Sequence, residues 1–299
     1  MTEQLPRWQG PVVVGADGSQ AALRAVRWAA AEAARQGADL RIVHALGSAE
    51  FFPGGAISPS TELYGLLEQE STALLEQARA SAQEAVPQVA VSGVSTTEPA
   101  VLALISESSA ARCVVLGESG RGAFTGVLLG STTVALSAHA HCPVVAVRGE
   151  DRPAAPVVVG VDGSEVSDWA LGCAFGQASR RGVPLVAVHA YTDADSHQVF
   201  RAERMEHDWE AQDVTERRVL ERWLKRWAER YRDVDVEPEL VRARPRQRLL
   251  ERSADACVLV VGCRGRGGFA GLLVGSTSQA MLHHAECPVM VVRPEPEPD

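Results

Sequence analysis

The chain writes one unit twice, and that repetition restricts its fold more than any other feature of the sequence. VVVGADGS begins at Val12 and VVVGVDGS at Val157, which places Asp17 and Asp162 145 residues apart. The same offset relates His44 to His189, Gly117 to Gly262, Gly130 to Gly275 and Cys142 to Cys287. Gly117–Arg148 laid on Gly262–Arg293 without a gap matches at 18 of 32 positions. Self-similarity at a fixed offset marks a repeated structural unit, and 299 residues suit two domains of ordinary size. The sequence therefore predicts a first copy over 1–150 and a second over 151–294. The exposed connector GEDRPAAP (Gly149–Pro156) joins them, and 295–299, within the closing PEPEPD, form a disordered tail.

Within each copy short apolar runs alternate with helical patterns. In the first, strands are predicted at Val12–Gly15, Leu40–Ala45, Val89–Val94, Cys113–Gly117 and Val144–Val147. A helix runs from a Ser19 cap to Gln36, where Gly37 ends it, with Leu23, Val26, Ala30 and Ala33/Ala34 along one face. Others lie near Thr61–Ala85, at Ala100–Ser109 and from Ser131 onward. The second copy repeats this order, with Pro245 suited to the first turn of its third helix. Buried strands separated by helices require a parallel sheet covered on both faces. Right-handed crossovers then make each copy an α/β, Rossmann-like, doubly wound domain with a five-stranded parallel sheet. Ligands of such sheets bind beyond the carboxyl ends of the strands, where strand order reverses.

Composition narrows the function classes. The net charge is −9, from 29 basic and 38 acidic residues, which argues against general nucleic-acid binding. No apolar run approaches the length that crosses a bilayer, so no membrane association is expected. The polar opening MTEQLPRWQGP lacks the apolar core of a signal peptide, and a cytoplasmic protein is the expectation. Six scattered cysteines form no CxxC pair and read as buried thiols. His139, His141, His283 and His284 read as helix-end histidines rather than metal ligands. Trp223 and Trp227, four apart, read as core or interface.

Chemistry concentrates in two glycine-rich loops. GESGRGAFTGVLLGST (Gly117–Thr132) and GCRGRGGFAGLLVGST (Gly262–Thr277) each leave a strand, turn through glycines and enter a helix, with the spacing G-x2-G-x9-G-[ST]. Glycines let successive N–H groups surround an anion. Ser131 and Ser276 stand at helix starts, which favour negative charge, and Arg121 and Arg266 add cations for phosphate oxygens. Neither loop has the lysine of a Walker A motif, and neither follows the first strand as a dinucleotide fingerprint does. The second loop carries Arg264 and Arg266, whereas the first carries Glu118 and Arg121. Glu118 weakens binding if it faces the phosphates and does little if it faces solvent, and the second site is expected to bind more tightly.

The glycine pattern late in each unit, with VGxDGS at its first strand, resembles the universal stress protein family in its tandem two-domain, ATP-binding form. The resemblance covers the chain apart from the tail. It implies that Asp17 and Asp162 meet the adenosine part of the nucleotide beside Gly15 and Gly160. Gly117, Gly120, Gly130 and Ser131, with Gly262, Gly265, Gly275 and Ser276, would hold ribose and phosphates, and Thr132 and Thr277 would add contacts. The remaining loop positions Glu118, Ser119, Arg121, Gly122, Cys263, Arg264, Arg266 and Gly267 complete the candidate set. Two readings stand for the aspartates, ligand contact and capping of the DGS turn. Two also stand for Asp193, a reach to the ribose edge and an ordinary exposed loop acid. The resemblance further implies homodimerisation, with the last strand, VVAVR or VMVVR, as an edge that pairs with another copy, or that pairs internally in a tandem chain and leaves another surface for dimerisation.

The function expected is ATP bound at two sites and sensed in a stress or growth response, with Mg²⁺ held through the phosphates. Catalysis is not expected, because phosphoryl transfer needs a positioned base or nucleophile that the loops do not supply. The alternative is a slow ATPase or phosphotransferase using Asp17 or Asp162 to orient water. A scaffold with vestigial sites is a third reading.

Overall fold

The structure is a computed structural model, and it describes residues 8–46, 61–118, 130–191, 209–265 and 273–294. Contacts divide the chain after Arg148 into two compact units, the second running Gly149–Val292. The first unit contains β1 (Val12–Gly15), α1 (Gln20–Gln36), β2 (Leu40–Ala45), α2 (Thr61–Ala85), β3 (Val91–Thr96), α3 (Ala100–Ser108), β4 (Cys113–Gly117), α4 (Ser131–His139) and β5 (Val144–Val147). The second contains β6 (Val157–Gly160), α5 (Glu165–Arg181), β7 (Leu185–Tyr191), α6 (Trp209–Arg230), β8 (Val236–Arg242), α7 (Pro245–Ser253), β9 (Val258–Gly262), α8 (Ser276–His284) and β10 (Val289–Val292).

Each unit is an α/β domain with helices on both faces of a five-stranded sheet. In the first unit β1 pairs in parallel with β2 and β4, β2 with β3, and β4 with β5. The order is β3-β2-β1-β4-β5. In the second, β6 pairs in parallel with β7 and β9, β7 with β8, and β9 with β10. Strand order therefore reverses between β1 and β4, and between β6 and β9. Those two crevices are where the polypeptide leaves room for a ligand.

The strands are buried because both faces are covered. Val12, Val13, Val14, Val114 and Val115 have no exposed surface, and neither do Val157, Val159, Leu259 and Val260. Helix α1 packs on α2 and α3 on α4, while α5 packs on α6 and α7 on α8. Leu23, Val26, Ala30 and Ala33 of α1 are buried as the periodicity requires, whereas Ala34 turns outward. Between them lies a residue that the apolar pattern conceals. Glu32 is fully buried and accepts from Gln36 Nε2 at 2.7 Å. The offset partners repeat the arrangement with other chemistry, Gln177 Oε1 accepting from Arg181 Nε at 3.0 Å. A buried polar pair at one turn's spacing satisfies its own hydrogen bonds without breaking the helix face.

Local signals explain the element ends. Ser19 Oγ accepts from Ala22 N at 3.1 Å, and Gly37 takes φ +57° at the C-cap of α1. Ser164 and Gly182 do the same for α5, and Pro245 occupies the first turn of α7. Strand β3 begins two residues after the predicted start. Val89 is spent in the turn that follows α2, where its N–H reaches Val86 O at 3.1 Å. The cysteines are packing residues: five are buried, and burial pushes the thiols of Cys142 and Cys173 up to about 12. Trp227 is core, its indole N–H donating to Asp168 Oδ1 at 2.9 Å, while Trp223 is half-buried. The tail, 295–299, lies outside the described residues.

Candidate nucleotide site

In the first unit, β1 stops at Gly15 because the chain must turn there. Ala16 N still reaches across to Val43 O at 2.9 Å, and Gly18 then takes φ +80°. Asp17 Oδ1 accepts from Ser19 N at 3.0 Å, which closes the turn and sets Ser19 as the cap of α1. His44, buried on β2, binds the same turn from below, its Nδ1 lying 2.8 Å from Ala16 O. With β4 ending at Gly117 one crevice away, these groups enclose a cavity of about 140 Å³. Gly15, Asp17, Gly117, Gly130 and Thr132 line it together with Ala16, Ala22, Val43, Ala45, Ala100, Leu104 and Leu116. A void of roughly this size, ~150 Å³, accepts a benzene-sized molecule. A flat aromatic ring against apolar walls is thus the group it suits, with a more polar remainder along the rim.

That remainder would meet the start of α4. Gly130 is its N-cap and offers no side-chain cap, in contrast to Ser19 on α1. The first N–H groups of a helix need acceptors, and an anion supplies them. Gly130 N donates to Glu118 O at 3.3 Å, so the loop is pinned at its neck. The backbone angle does not demand glycine at Gly130: its φ is −59°, and among the described residues an added Cβ would meet only Thr133 Oγ1, at 4.0 Å. A glycine in the cavity wall lets a ligand approach the backbone closely.

Not every predicted residue joins this group. Glu118 turns to α1, where its Oε1 meets Arg24 Nη2 at 2.5 Å, both partly exposed. That answers one of the two loop differences behind the expectation of a tighter second site; the other, Arg264 at the position of Ser119, stands. Ser131 is exposed at the helix start and is not part of the cavity wall. Ser119, Gly120, Arg121 and Gly122 lie outside the described residues, as do Asp193, Arg266 and Gly267.

The second unit repeats the frame with different side chains. Asp162 Oδ1 accepts from Ser164 N at 2.9 Å and from Ser164 Oγ at 2.7 Å. Ser167 Oγ adds bonds from Gly163 N at 3.1 Å and Asp162 N at 3.4 Å. His189 Nδ1 lies 2.7 Å from Val161 O, and its Nε2 lies 2.9 Å from Glu216 Oε2. Cys263 is buried, its N donating to Val292 O and its O accepting from Gly275 N, both at 2.7 Å. Gly160 and Gly262 end their strands, Arg264, Gly265 and Ser276 are exposed, and Thr277 is half-buried.

Sequence reasoning missed the apolar walls and the two histidines. The offset carried the signal for the histidines: one imidazole in each copy, in an otherwise apolar strand, next to a strand that ends in a turn.

The model of the universal stress protein family matches twice, over residues 10–148 and 154–293. The chain belongs to that family. The universal stress protein Rv2005c of Mycobacterium tuberculosis is 40% identical over 303 residues, covering 96% of this chain and 98% of the relative. Rv2623 of the same organism is 39% identical over 300 residues, covering 94% and 96%. A crystal structure of a universal stress protein from Archaeoglobus fulgidus shares the fold with a TM-score of 0.68 at 17% identity, covering 97% of this chain and 99% of that one. No helix among the described residues is long and apolar enough to cross a membrane.

Proposed function

We propose that this universal stress protein binds adenine nucleotide, ATP foremost, in both units, and acts as a nucleotide-sensing regulator. The observation that carries the reading is the cavity at the β1/β4 crevice. It combines an apolar slot for a base, a carboxylate at Asp17, and a helix start whose N-cap glycine leaves room for phosphate. Among the described residues Asp17 is the one ionisable side chain in the cavity wall, so its carboxylate faces the polar part of a nucleoside and the ribose hydroxyls are its natural donors. Backbone N–H groups at the start of α4 would take the phosphates. Mg²⁺ would accompany ATP through phosphate oxygens and water.

Holding rather than turnover is the expected consequence, because the described wall supplies one carboxylate and not the paired base and electrophile of phosphoryl transfer. Homodimerisation in the cytoplasm belongs to the same proposal. Titration calorimetry with Asp17→Ala tests the binding role. Affinity in the first unit should fall at least tenfold, ATP should persist through prolonged incubation, and circular dichroism should not change. ADP produced at a rate that Asp17→Ala abolishes would establish the enzyme instead.

A further inference from the structure

We infer that the two sites are not equivalent: the first unit holds the nucleoside, and the second selects its ligand by phosphate charge and binds it more weakly. The inference rests on the nucleotide reading and deepens it. Its first support is space. Of the residues lining the first cavity, Ala16, Ala22 and Ala100 have Val161, Ser167 and Pro245 as their offset partners. Val161 and Ser167 are buried, so their extra atoms point into the unit and not into solvent. Ser167 Oγ is also committed to the Asp162 turn. Ring-sized space of about 140 Å³ tolerates little such filling.

The neck of the second loop is closely packed. A Cβ on Gly275 would meet Arg264 Cα and Cys263 O at 3.4 Å. A Cβ on Gly265 would stand 2.5 Å from Asp162 Oδ2. In the second unit the loop lies against its own aspartate, and a nucleoside has to displace it.

Charge supplies the third support. Pro245 is flanked by Arg244 and Arg246, both exposed, where the first unit has Pro99 and Val101. Arg264 is exposed on the loop at the position of Ser119. Their neighbours Arg248 and Arg252 are tied to Glu239, and Arg242 is tied to Asp213. A narrow site with a cationic rim gains little from a base and much from phosphate. It is also sensitive to salt, because exposed charges are screened over about 8 to 10 Å.

The test is titration calorimetry of the full chain with adenosine, AMP and ATP, at low and high salt. Adenosine and AMP should bind with one equivalent per chain, lost in Asp17→Ala. ATP should show a second event at least tenfold weaker, suppressed by salt and removed by Arg244→Gln/Arg246→Gln. Those exposed substitutions leave the fold and the first event unchanged. Two equal events for AMP, or a second ATP event that ignores the arginine substitutions, would overturn the inference while leaving nucleotide binding intact. No binding of any of the three would overturn both.

Discussion

Single side chains decide where the aspartates stand. His44 and His189 each hold the carbonyl of the residue preceding the aspartate, at 2.8 and 2.7 Å. The turn that presents Asp17 or Asp162 is thereby fixed from the sheet side as well as by its own serine. Removing the imidazole strands a buried carbonyl, at a cost of about 1 to 3 kcal/mol. His44→Leu should accordingly lower the urea midpoint and weaken adenosine binding in the first unit, and His44→Gln should recover part of both. Stability lost with affinity unchanged would show that the histidine serves packing alone. The aspartates and glycines of the site were legible in the sequence because their types are rare in strands and their spacing repeats. The walls were not. Alanine and valine are the common currency of any core, and only the fold shows that Ala16, Ala22 and Ala100 border a cavity.

At the scale of elements, the two kinds of helix start in each unit carry the functional distinction. Helices α1 and α5 are closed by Ser19 and Ser164, whereas α4 and α8 begin at a glycine, Gly130 or Gly275, with no side-chain cap; α3 and α7, which also lack one, begin at Pro99 and Arg244. Ser19 and the entry into α4 were readable, since a cap residue and a G-S-T run are local signals. The start of β3 was less so. It is an outer strand with only half-buried and exposed positions, so its apolar pattern is too weak to fix a boundary. The connector shows the opposite case, a loop with more structure than its composition suggests. Gly149 takes φ +63°, and a Cβ there would collide with Glu286 O, while Arg152 pairs with Glu150 and reaches Glu286 O. Replacing glycine by alanine stabilises by up to ~1 kcal/mol where the backbone is compatible, but at a positive φ it destabilises by more than that, so Gly149→Ala should destabilise the second unit, read as a lowered midpoint in thermal unfolding. An unchanged midpoint would mean that the connector is not held against that unit.

For the whole molecule, duplication made the fold plain before any coordinate was considered. Two copies in register gave two independent views of every strand, and the alternation of apolar runs with helices permitted only a parallel, doubly covered sheet. Duplication also hid the differences between the copies. Glu118 was legible as an anion in a phosphate loop, but its pairing with Arg24 depends on how α1 lies beside the end of β4. Likewise, the arginines flanking Pro245 gain meaning only when Ala100, their unit-one reference point, is found in the cavity wall. The most direct test of nucleotide binding begins with protein purified without added nucleotide, denatured and examined by mass spectrometry for released ligand. The account predicts intact ATP or another adenine nucleotide, absent from a folded Asp17→Ala/Asp162→Ala variant. An empty protein that also fails to bind adenine nucleotides when titrated to millimolar concentration would contradict it.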